Sequence, residues 1–213
     1  MADFKYIIMC GGTYPEWGET PRQLLKLPSG ETIVGRTIRL LRENGVTDIA
    51  ISTHNKAFEV CGVPLLEHDN TWVAGKSGLW LEAFYPMEEP VCYMFGDVVY
   101  SDRAVKAIVT TETTDIDFFA SASPFDQRYI KDYCEPFCFK VHNTKRFFEC
   151  LKICAKYYEL GMFQRSPIAW EVWQVCNGGK LNFIARDFNV ISDWTCDIDS
   201  SEDLSRLNMR VHI

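Results

Sequence analysis

Short apolar runs alternate with amphipathic segments along most of this chain. Runs of a strand's length, rich in β-branched and aromatic side chains, predict strands at 5–9, 48–52, 63–67, 91–95, 115–120, 135–141 and 181–185. Apolar positions at helical spacing predict helices at 32–44, 77–85, 101–110, 144–158 and 169–176. Ser200 and Asp203 have the spacing of a capping box, which predicts one more helix directly after them.

This alternation of strands and helices predicts the fold class. We expect an α/β protein with a three-layer α/β/α, Rossmann-like architecture and a mostly parallel central sheet. Because the sequence contains no internal repeat, low-complexity tract or linker, residues 1–213 are expected to form a single domain. Ligands of such sheets bind beyond the carboxyl ends of the strands. The residues that directly follow each strand are therefore the first candidates for a functional site.

The composition limits the kinds of partner that this protein is expected to bind. At 47% hydrophobic residues the chain can bury a substantial core, and its net charge of −7 leaves no basic surplus for a nucleic acid. The first residues lack the pattern of a signal peptide, and no apolar run approaches the roughly 20 residues that cross a bilayer. We therefore expect a cytoplasmic protein with neither a nucleic-acid nor a membrane partner, and leave a homo-oligomer open.

The nine cysteines allow two interpretations. Cys134 and Cys138 are four residues apart, and Cys150 and Cys154 repeat that spacing, so a zinc site is one option. However, zinc sites usually show tighter pairs and histidine partners, and the four histidines have no metal-ligand spacing. Buried thiols in a reducing compartment are the favoured interpretation.

The turn after the first predicted strand is the first candidate for a ligand site. Cys10, Gly11 and Gly12 follow that strand directly, and a glycine pair lets backbone amides approach phosphate oxygens. The segment matches neither the dinucleotide-binding fingerprint nor the P-loop. By itself, a glycine pair at this place is more often a plain turn.

The order of the features that follow is more specific. After the glycine pair come Pro21-Arg22 with an apolar Leu24-Leu25, the predicted helix 32–44, a turn at Gly45 and the strand 48–52. Over about the first 50 residues this order resembles the opening of the sugar-nucleotide and related nucleotidyltransferases. The resemblance implies the α/β fold of that family, with Cys10, Gly11, Gly12 and Arg22 at the nucleotide.

Two positions depart from the pattern of that family. Arg22 stands where the family usually has lysine, and Glu16 falls near an expected arginine. An arginine can still hold phosphate oxygens, even through two hydrogen bonds, whereas a glutamate beside a triphosphate would repel it unless it faces away or binds a metal. Lys26 and Lys76 are candidates for the missing positive charge.

Acidic residues at two distant places are candidate metal ligands. Gly96-Asp97 ends a buried predicted strand, and Asp197 and Asp199 lie two apart near the carboxyl end, so they face the same side if extended. Both places resemble acidic positions of the same family, which implies Mg²⁺ held by Asp97, Asp197 and Asp199, with Asp97 and Arg22 catalytic. The alternatives are a turn or N-cap aspartate at 97 and a solvated acidic helix start at 197–199.

The remaining candidates concern the two ends of a substrate. Lys76 and Ser77 precede the predicted helix 77–85 and are candidates for nucleotide contacts, although a helix N-cap at Ser77 explains them equally well. Lys140, at the end of a predicted strand, is the candidate for binding the acceptor phosphate. Other polar and aromatic residues of the second half could surround the acceptor: Asp126, Arg128, Tyr129, Arg165, Glu171, Trp170, Trp173 and Trp194.

The resemblance therefore implies a Mg²⁺-dependent nucleotidyltransferase. Its substrates would be an NTP and a small phosphorylated acceptor, either a sugar phosphate or a phospho-alcohol. Pyrophosphate would be released, and the compact chain favours a role in precursors of surface polysaccharides. One alternative is a catalytically impaired relative that binds a nucleotide or sugar phosphate and acts in regulation, which Glu16 and Arg22 suggest. A glycosyltransferase of similar architecture ranks last, because Val99 stands where an Asp-x-Asp pair starting at Asp97 would have its second aspartate.

Overall fold

A computed structural model describes residues 4–12, 17–121, 133–178 and 187–210. Within them the strands are β1 (Lys5–Met9), β2 (Ile49–Ser52), β3 (Leu65–Leu66), β4 (Val91–Phe95), β5 (Val98–Val99), β6 (Ile116–Ser121), β7 (Pro136–Val141), β8 (Asn189–Ile191) and β9 (Cys196–Asp197). The α-helices are α1 (Ile33–Glu43), α2 (Asp102–Thr110), α3 (Thr144–Glu159), α4 (Ala169–Cys176) and α5 (Ser201–Arg210).

Seven of the strands form one sheet, in the order β3-β2-β1-β4-β7-β6-β8. Neighbouring strands are parallel except at β7, which is antiparallel to both β4 and β6. The predicted mostly parallel sheet is therefore confirmed. Since parallel strands end at the same edge, β1, β2 and β4 place the residues that follow them side by side.

The centre of the sheet is apolar on both faces. Every residue of β4 is buried, and so is every residue of β1 after Lys5. Side chains of a strand alternate between the two faces, so this burial requires cover on each side of the sheet. The three-layer α/β/α fold class predicted from the sequence is thereby confirmed.

Side-chain caps fix the start of three helices where the sequence predicted them. Thr32 Oγ1 accepts a hydrogen bond from Gly35 N at 3.0 Å, and Ser101 Oγ accepts one from Ala104 N at 2.9 Å. Before α5, Ser200 N donates to Asp203 Oδ2 at 2.9 Å and Asp203 N donates to Ser200 Oγ at 3.2 Å. The predicted capping box is therefore confirmed. Among the described residues, no helix has both the length and the apolar character to cross a membrane.

The prediction of a helix at 77–85 is wrong. Gly75 and Gly78 have φ angles of 70° and 94°, which other residues rarely adopt, and the segment contains only a short 3₁₀ turn, Trp80–Ala83. The buried Glu82 explains this shape, because its carboxylate accepts hydrogen bonds from Val73 N and Ala74 N. The predicted strand at 181–185 lies outside the described residues, and the sequence analysis missed β8.

All nine cysteines are free thiols, and seven of them are buried. Within the described residues, no cluster of histidine, cysteine or carboxylate side chains could hold a metal with three protein ligands. The spacing of Cys134 with Cys138 and of Cys150 with Cys154 thus does not produce a zinc site in this part of the chain. The interpretation as buried thiols agrees with the structure.

Candidate active site

A large cleft of about 1540 Å³ opens at the carboxyl ends of β1, β2 and β4. Its walls combine segments that are far apart in the sequence. They include most of the residues that the sequence analysis singled out: Cys10, Gly11, Gly12, Arg22, Asp97, Asp197 and Asp199. The parallel topology brings the glycine turn and the acidic residues to one place.

The glycine turn and Asp97 are adjacent because Gly96 has no side chain. Gly96 N donates to Met9 O at 3.0 Å, which links the ends of β4 and β1. A Cβ atom on Gly96 would lie 2.5 Å from Met9 O and 2.6 Å from Cys10 Sγ, closer than real contacts allow. Gly11 and Gly12 are exposed, and Gly12 has a φ of 88°. The exposed backbone of this turn is free of side chains that would block a ligand.

Asp97 and Asp197 belong to neighbouring segments. Asp97 directly precedes β5, and β5 pairs antiparallel with β9, so that Val98 lies opposite Asp197. Ile198 N also donates to Asp97 O at 2.9 Å. Asp199 lies two residues after Asp197 and is held in position, because its backbone N donates to the Asp203 side chain of the capping box.

Arg22 lies between the acidic residues. Its side chain is 6% exposed, and its guanidinium donates to Asp199 Oδ1 at 2.9 Å, to Ile198 O at 3.1 Å and to the Asp97 carboxylate. The 3₁₀ turn Arg22–Leu24 that carries it is held by Leu24 N, which donates to Pro21 O. The sequence analysis placed Arg22 on phosphate oxygens, whereas in the structure it contacts carboxylates.

The surroundings of Asp97 favour its neutral form. Burial is the main cause that raises the pKa of Asp97 from 3.8 to about 6, and the negative charges of Asp197 and Asp199 raise it further. The positive charge of Arg22 lowers this pKa and so limits the rise. Asp97 is therefore a carboxyl group that a nearby cation can ionise fully near neutral pH. Burial also raises the pKa of the Cys10 thiol. The thiol is therefore uncharged where it lines the cleft.

The acidic residues fit one particular kind of metal site. Mg²⁺ and Mn²⁺ prefer oxygen ligands, and in nucleotide-dependent enzymes one or two carboxylates and the substrate phosphates typically share the ion. Asp97 and Asp197, on adjacent segments of the cleft wall, supply two such carboxylates. Among the described residues no cluster of three metal-binding side chains is found, so these aspartates do not form a complete metal site by themselves.

The structure adds a buried carboxylate that the sequence analysis overlooked. Glu135 directly precedes β7, is 1% exposed, and accepts a hydrogen bond from Asp197 N at 3.0 Å through Oε1. It therefore ties the segment of Asp197 to the central sheet. No sequence signal marks this role, because the two residues are 62 positions apart.

Lys76, Lys26 and Ser77 are not part of the described cleft wall. Ser77 does not cap a helix either, because the residue that precedes the short 3₁₀ turn is Leu79. On this side the cleft is instead lined by polar residues that follow β2 and β3: Ser52, Thr53, His54, Asn55, Lys56, His68 and Asn70. The sequence analysis missed this set, because nothing local distinguishes it from ordinary loop residues.

The prediction that Lys140 binds an acceptor phosphate is contradicted by its position. Lys140 is 2% exposed, lies outside the cleft wall, and donates hydrogen bonds to Ile108 O, Val109 O and Thr111 O at 2.7–3.0 Å. These carbonyls belong to the end of α2, which needs donors there. Lys140 is therefore a helix cap, and the physical reason is that it lies on the part of β7 beside the end of α2, outside the cleft wall.

A different cation lies at the far end of the cleft. Arg165 precedes α4, is more than half exposed, and donates to Glu171 Oε1 at 2.9 Å. Trp170 and Phe188 line the wall next to it, with ring centroids 5.6 Å apart. Trp173 and Trp194 do not line the cleft. Asp126, Arg128, Tyr129 and Glu16 lie outside the described residues.

Comparison with known proteins places this cleft in a context. No protein-family model and no curated protein sequence matches the chain. Solved structures do match it over nearly the whole length of both chains. A Bacillus anthracis protein described as a glucose-1-phosphate thymidylyltransferase is 15% identical, with a TM-score of 0.63 over 99% of this chain and 97% of its own.

Two further structures extend the comparison. The inositol-1-phosphate CTP transferase of T. maritima is 14% identical, with a TM-score of 0.60 over 100% of this chain and 99% of its own. The Mycobacterium tuberculosis protein Rv0371c, solved as a complex with manganese, is 19% identical, with a TM-score of 0.52 over 98% of this chain and 100% of its own. This chain has the nucleotidyltransferase fold. At these identities the likeness concerns the fold alone.

Proposed function

We propose that this protein belongs to the nucleotidyltransferases and transfers a nucleotide from an NTP to a small phosphorylated acceptor. The observation that carries the proposal is the meeting of the glycine turn, Arg22, Asp97 and Asp197 in one cleft, on the fold of nucleotidyltransferases. In the reaction, an acceptor phosphate oxygen would form a bond to the α-phosphorus. The bond from that phosphorus to the bridging oxygen would break, and pyrophosphate would leave.

The chain's own residues would hold charge and orient the reactants. The exposed glycines Gly11 and Gly12 would offer their backbone amides to the phosphate chain, and Arg22, in the same cleft wall, would stabilise charge on the transferred group. This reaction needs no protein nucleophile. The buried thiol of Cys10, whose pKa is raised, would remain neutral and only shape the wall.

Asp97 and Asp197 are the proposed ligands of the metal, with Asp199 next to them. A bound Mg²⁺ would screen the repulsion between the two phosphorylated substrates and polarise the reacting phosphate. The structure of Rv0371c as a complex with manganese supports the proposal that proteins of this fold bind a divalent ion. The manganese itself was observed with Rv0371c. Glu135 would keep Asp197 in place through its backbone N–H.

Arg165 is the proposed contact for the acceptor phosphate, in place of Lys140. It is exposed at the end of the cleft opposite His54 and Lys56, and the buried Glu171 fixes its direction. A sugar phosphate or a phospho-alcohol would place its phosphate at the guanidinium and its other part against Trp170 and Phe188. The role in surface polysaccharide precursors, which rests on the sequence resemblance, remains a proposal, and so does the cytoplasmic location.

Pyrophosphate release tests the activity. The full chain is incubated with Mg²⁺, each of the common NTPs and a panel of phosphorylated sugars and alcohols, and pyrophosphate is measured. We expect release for one NTP–acceptor pair, loss of at least about a hundredfold in Asp97→Asn, and a raised acceptor KM with unchanged NTP KM in Arg165→Gln. Release that Asp97→Asn does not reduce would rule out the proposed site.

One observation favours a second candidate. Arg22 lines the cleft but donates its hydrogen bonds to the carboxylates, as it would in a relative that binds a nucleotide or sugar phosphate without turnover and acts in regulation. Such a protein would bind ligands in calorimetry yet release no pyrophosphate with any pair of the panel. Binding together with release identifies the enzyme.

A further inference from the structure

Arg22 and a divalent ion would compete for the Asp97 carboxylate, which the guanidinium contacts and which is a proposed metal ligand. The guanidinium donates through one terminal nitrogen to Asp97 and through the other to Asp199 Oδ1 and Ile198 O. It thereby spans two segments of the acidic wall that lie far apart in the sequence. An ion coordinated by the same carboxylate oxygens would have to take the place of these hydrogen bonds.

Charge makes this exchange unfavourable for a metal ion alone. Arg22 is buried, so a divalent ion next to it would face a like charge that water screens poorly. Removal of the guanidinium from its partners would also leave a buried charge unpaired. An NTP changes the balance, because its triphosphate can accept the guanidinium and share the ion.

Arg36 shows how an arginine with a purely structural role differs. Arg36 is equally buried, and it donates to Tyr100 O and to Asp102 at the start of α2, outside the cleft wall. Arg22 instead faces the cleft beside Gly11 and Gly12, where a phosphate chain would lie. Only Arg22 of the two has an alternative partner within reach.

We propose that Arg22 is an exchangeable counter-ion that holds Asp97 and Asp199 until a nucleotide arrives. The inference rests on the proposed function, since the nucleotide is the ligand that would draw Arg22 off the carboxylates. Its consequence is a binding order. A divalent ion binds this protein weakly alone and tightly together with an NTP, so Arg22 acts as a positioning residue before it contacts the substrate.

Mn²⁺ binding tests this order without any turnover. Electron paramagnetic resonance measures free Mn²⁺ in the presence of the full chain, first without nucleotide and then with a non-hydrolysable NTP. Three variants are compared with the wild type: Arg22→Gln removes the counter-ion, Arg22→Lys keeps its charge but cannot span both carboxylates, and Arg165→Gln removes an equal charge at the far end of the cleft.

We expect Arg22→Gln to bind Mn²⁺ without nucleotide at least about tenfold more tightly than the wild type. Arg22→Lys should gain less, by several-fold, and Arg165→Gln should not gain. Equal affinity of the wild type and Arg22→Gln would overturn the proposal, as would an equal gain in Arg165→Gln. If Arg22→Gln does not fold, as thermal melting shows, the comparison of Arg22→Lys with the wild type decides in the same way.

The proposed function can fail separately. If no nucleotide binds but Arg22→Gln still gains Mn²⁺ affinity, the counter-ion role stands and the nucleotidyltransferase does not. If the nucleotide binds and no Arg22 variant changes the Mn²⁺ affinity, the counter-ion role fails, and pyrophosphate release alone decides the proposed function.

Discussion

Asp97 shows how one carboxyl group is balanced between opposite influences. Its burial and its acidic neighbours favour the protonated form, and Arg22 favours the carboxylate. The result is a pKa of about 6 instead of 3.8. A group with this pKa is mostly ionised at pH 7, and a cation bound beside it would lower the pKa and complete its ionisation.

This pKa has a consequence for stability. Because folding raises it, Asp97 contributes stability that is fully present below pH 3.8 and is lost as the pH rises through about 6. The difference between these two pKa values corresponds to roughly 3 kcal/mol of unfolding free energy. We therefore expect the unfolding free energy of the wild type, relative to that of Asp97→Asn, to fall by about this amount between pH 4 and pH 7.

Urea unfolding of both proteins in EDTA at several pH values measures the difference. Other titrating groups cancel in the comparison, because both proteins carry them. A difference between wild type and Asp97→Asn that does not vary with pH would contradict the assigned pKa.

At the level of secondary-structure elements, the end of α2 depends on a residue from another strand. The last carbonyls of a helix lack partners within it, and here Lys140 of β7 supplies three hydrogen bonds while its ammonium lies 4.8 Å from the Phe4 ring centroid. Burial lowers the pKa of Lys140. Its three hydrogen bonds nevertheless hold the Lys140 side chain at the end of α2. The side chain thus joins α2 to the sheet.

Lys140→Met tests this role against the one predicted from the sequence. Methionine keeps the apolar stem but leaves the α2 carbonyls without a donor, so we expect a loss of about 1–3 kcal/mol in unfolding free energy. The KM for the acceptor should not change. Lys106→Met, at an exposed position on α2, is the control and should have little effect on stability. A raised acceptor KM with unchanged stability would restore Lys140 to the site.

On the scale of the whole molecule, the cleft joins two halves of the chain. One end is lined by residues that follow β2, such as His54 and Lys56, and the other by Arg165, which precedes α4, and Trp170 in α4. Between them lie Asp97 and Asp197. A nucleotide at one end and a phosphorylated acceptor at the other would therefore meet at the acidic wall.

Binding across the cleft should raise the stability of the whole fold. A ligand that binds only the native state adds about 2.7 kcal/mol at a concentration one hundred times its Kd. We expect a nucleotide with Mg²⁺ to raise the Tm more than the same nucleotide with EDTA, because the ion links it to the carboxylates. Thermal melting of the protein with each NTP, once in Mg²⁺ and once in EDTA, measures this difference in Tm. A shift that Asp97→Asn retains in full would place the nucleotide elsewhere.

Much of the fold followed from local pattern. The continuous apolar runs of β1 and β4, the starts of α1 and α2 and the capping box at Ser200 were visible because periodicity and capping act between close neighbours. The segment 77–85 was misread, since its apolar spacing suggested a helix while its glycines and the distant anchor of Glu82 imposed another shape. Tertiary hydrogen bonds overrode the local preference there.

The sequence by itself determined which residues end the strands, and hence that a glycine turn and acidic side chains gather at one edge of a parallel sheet. The tertiary structure decided which charges meet. Arg22 and Asp199 are 177 residues apart and Lys140 and Thr111 are 29 apart, yet each pair is in contact. Such pairs depend on strand order and on the path of the loops between elements. Local periodicity encodes neither of these, because the energy that selects a strand order or a loop path arises only when distant segments pack together.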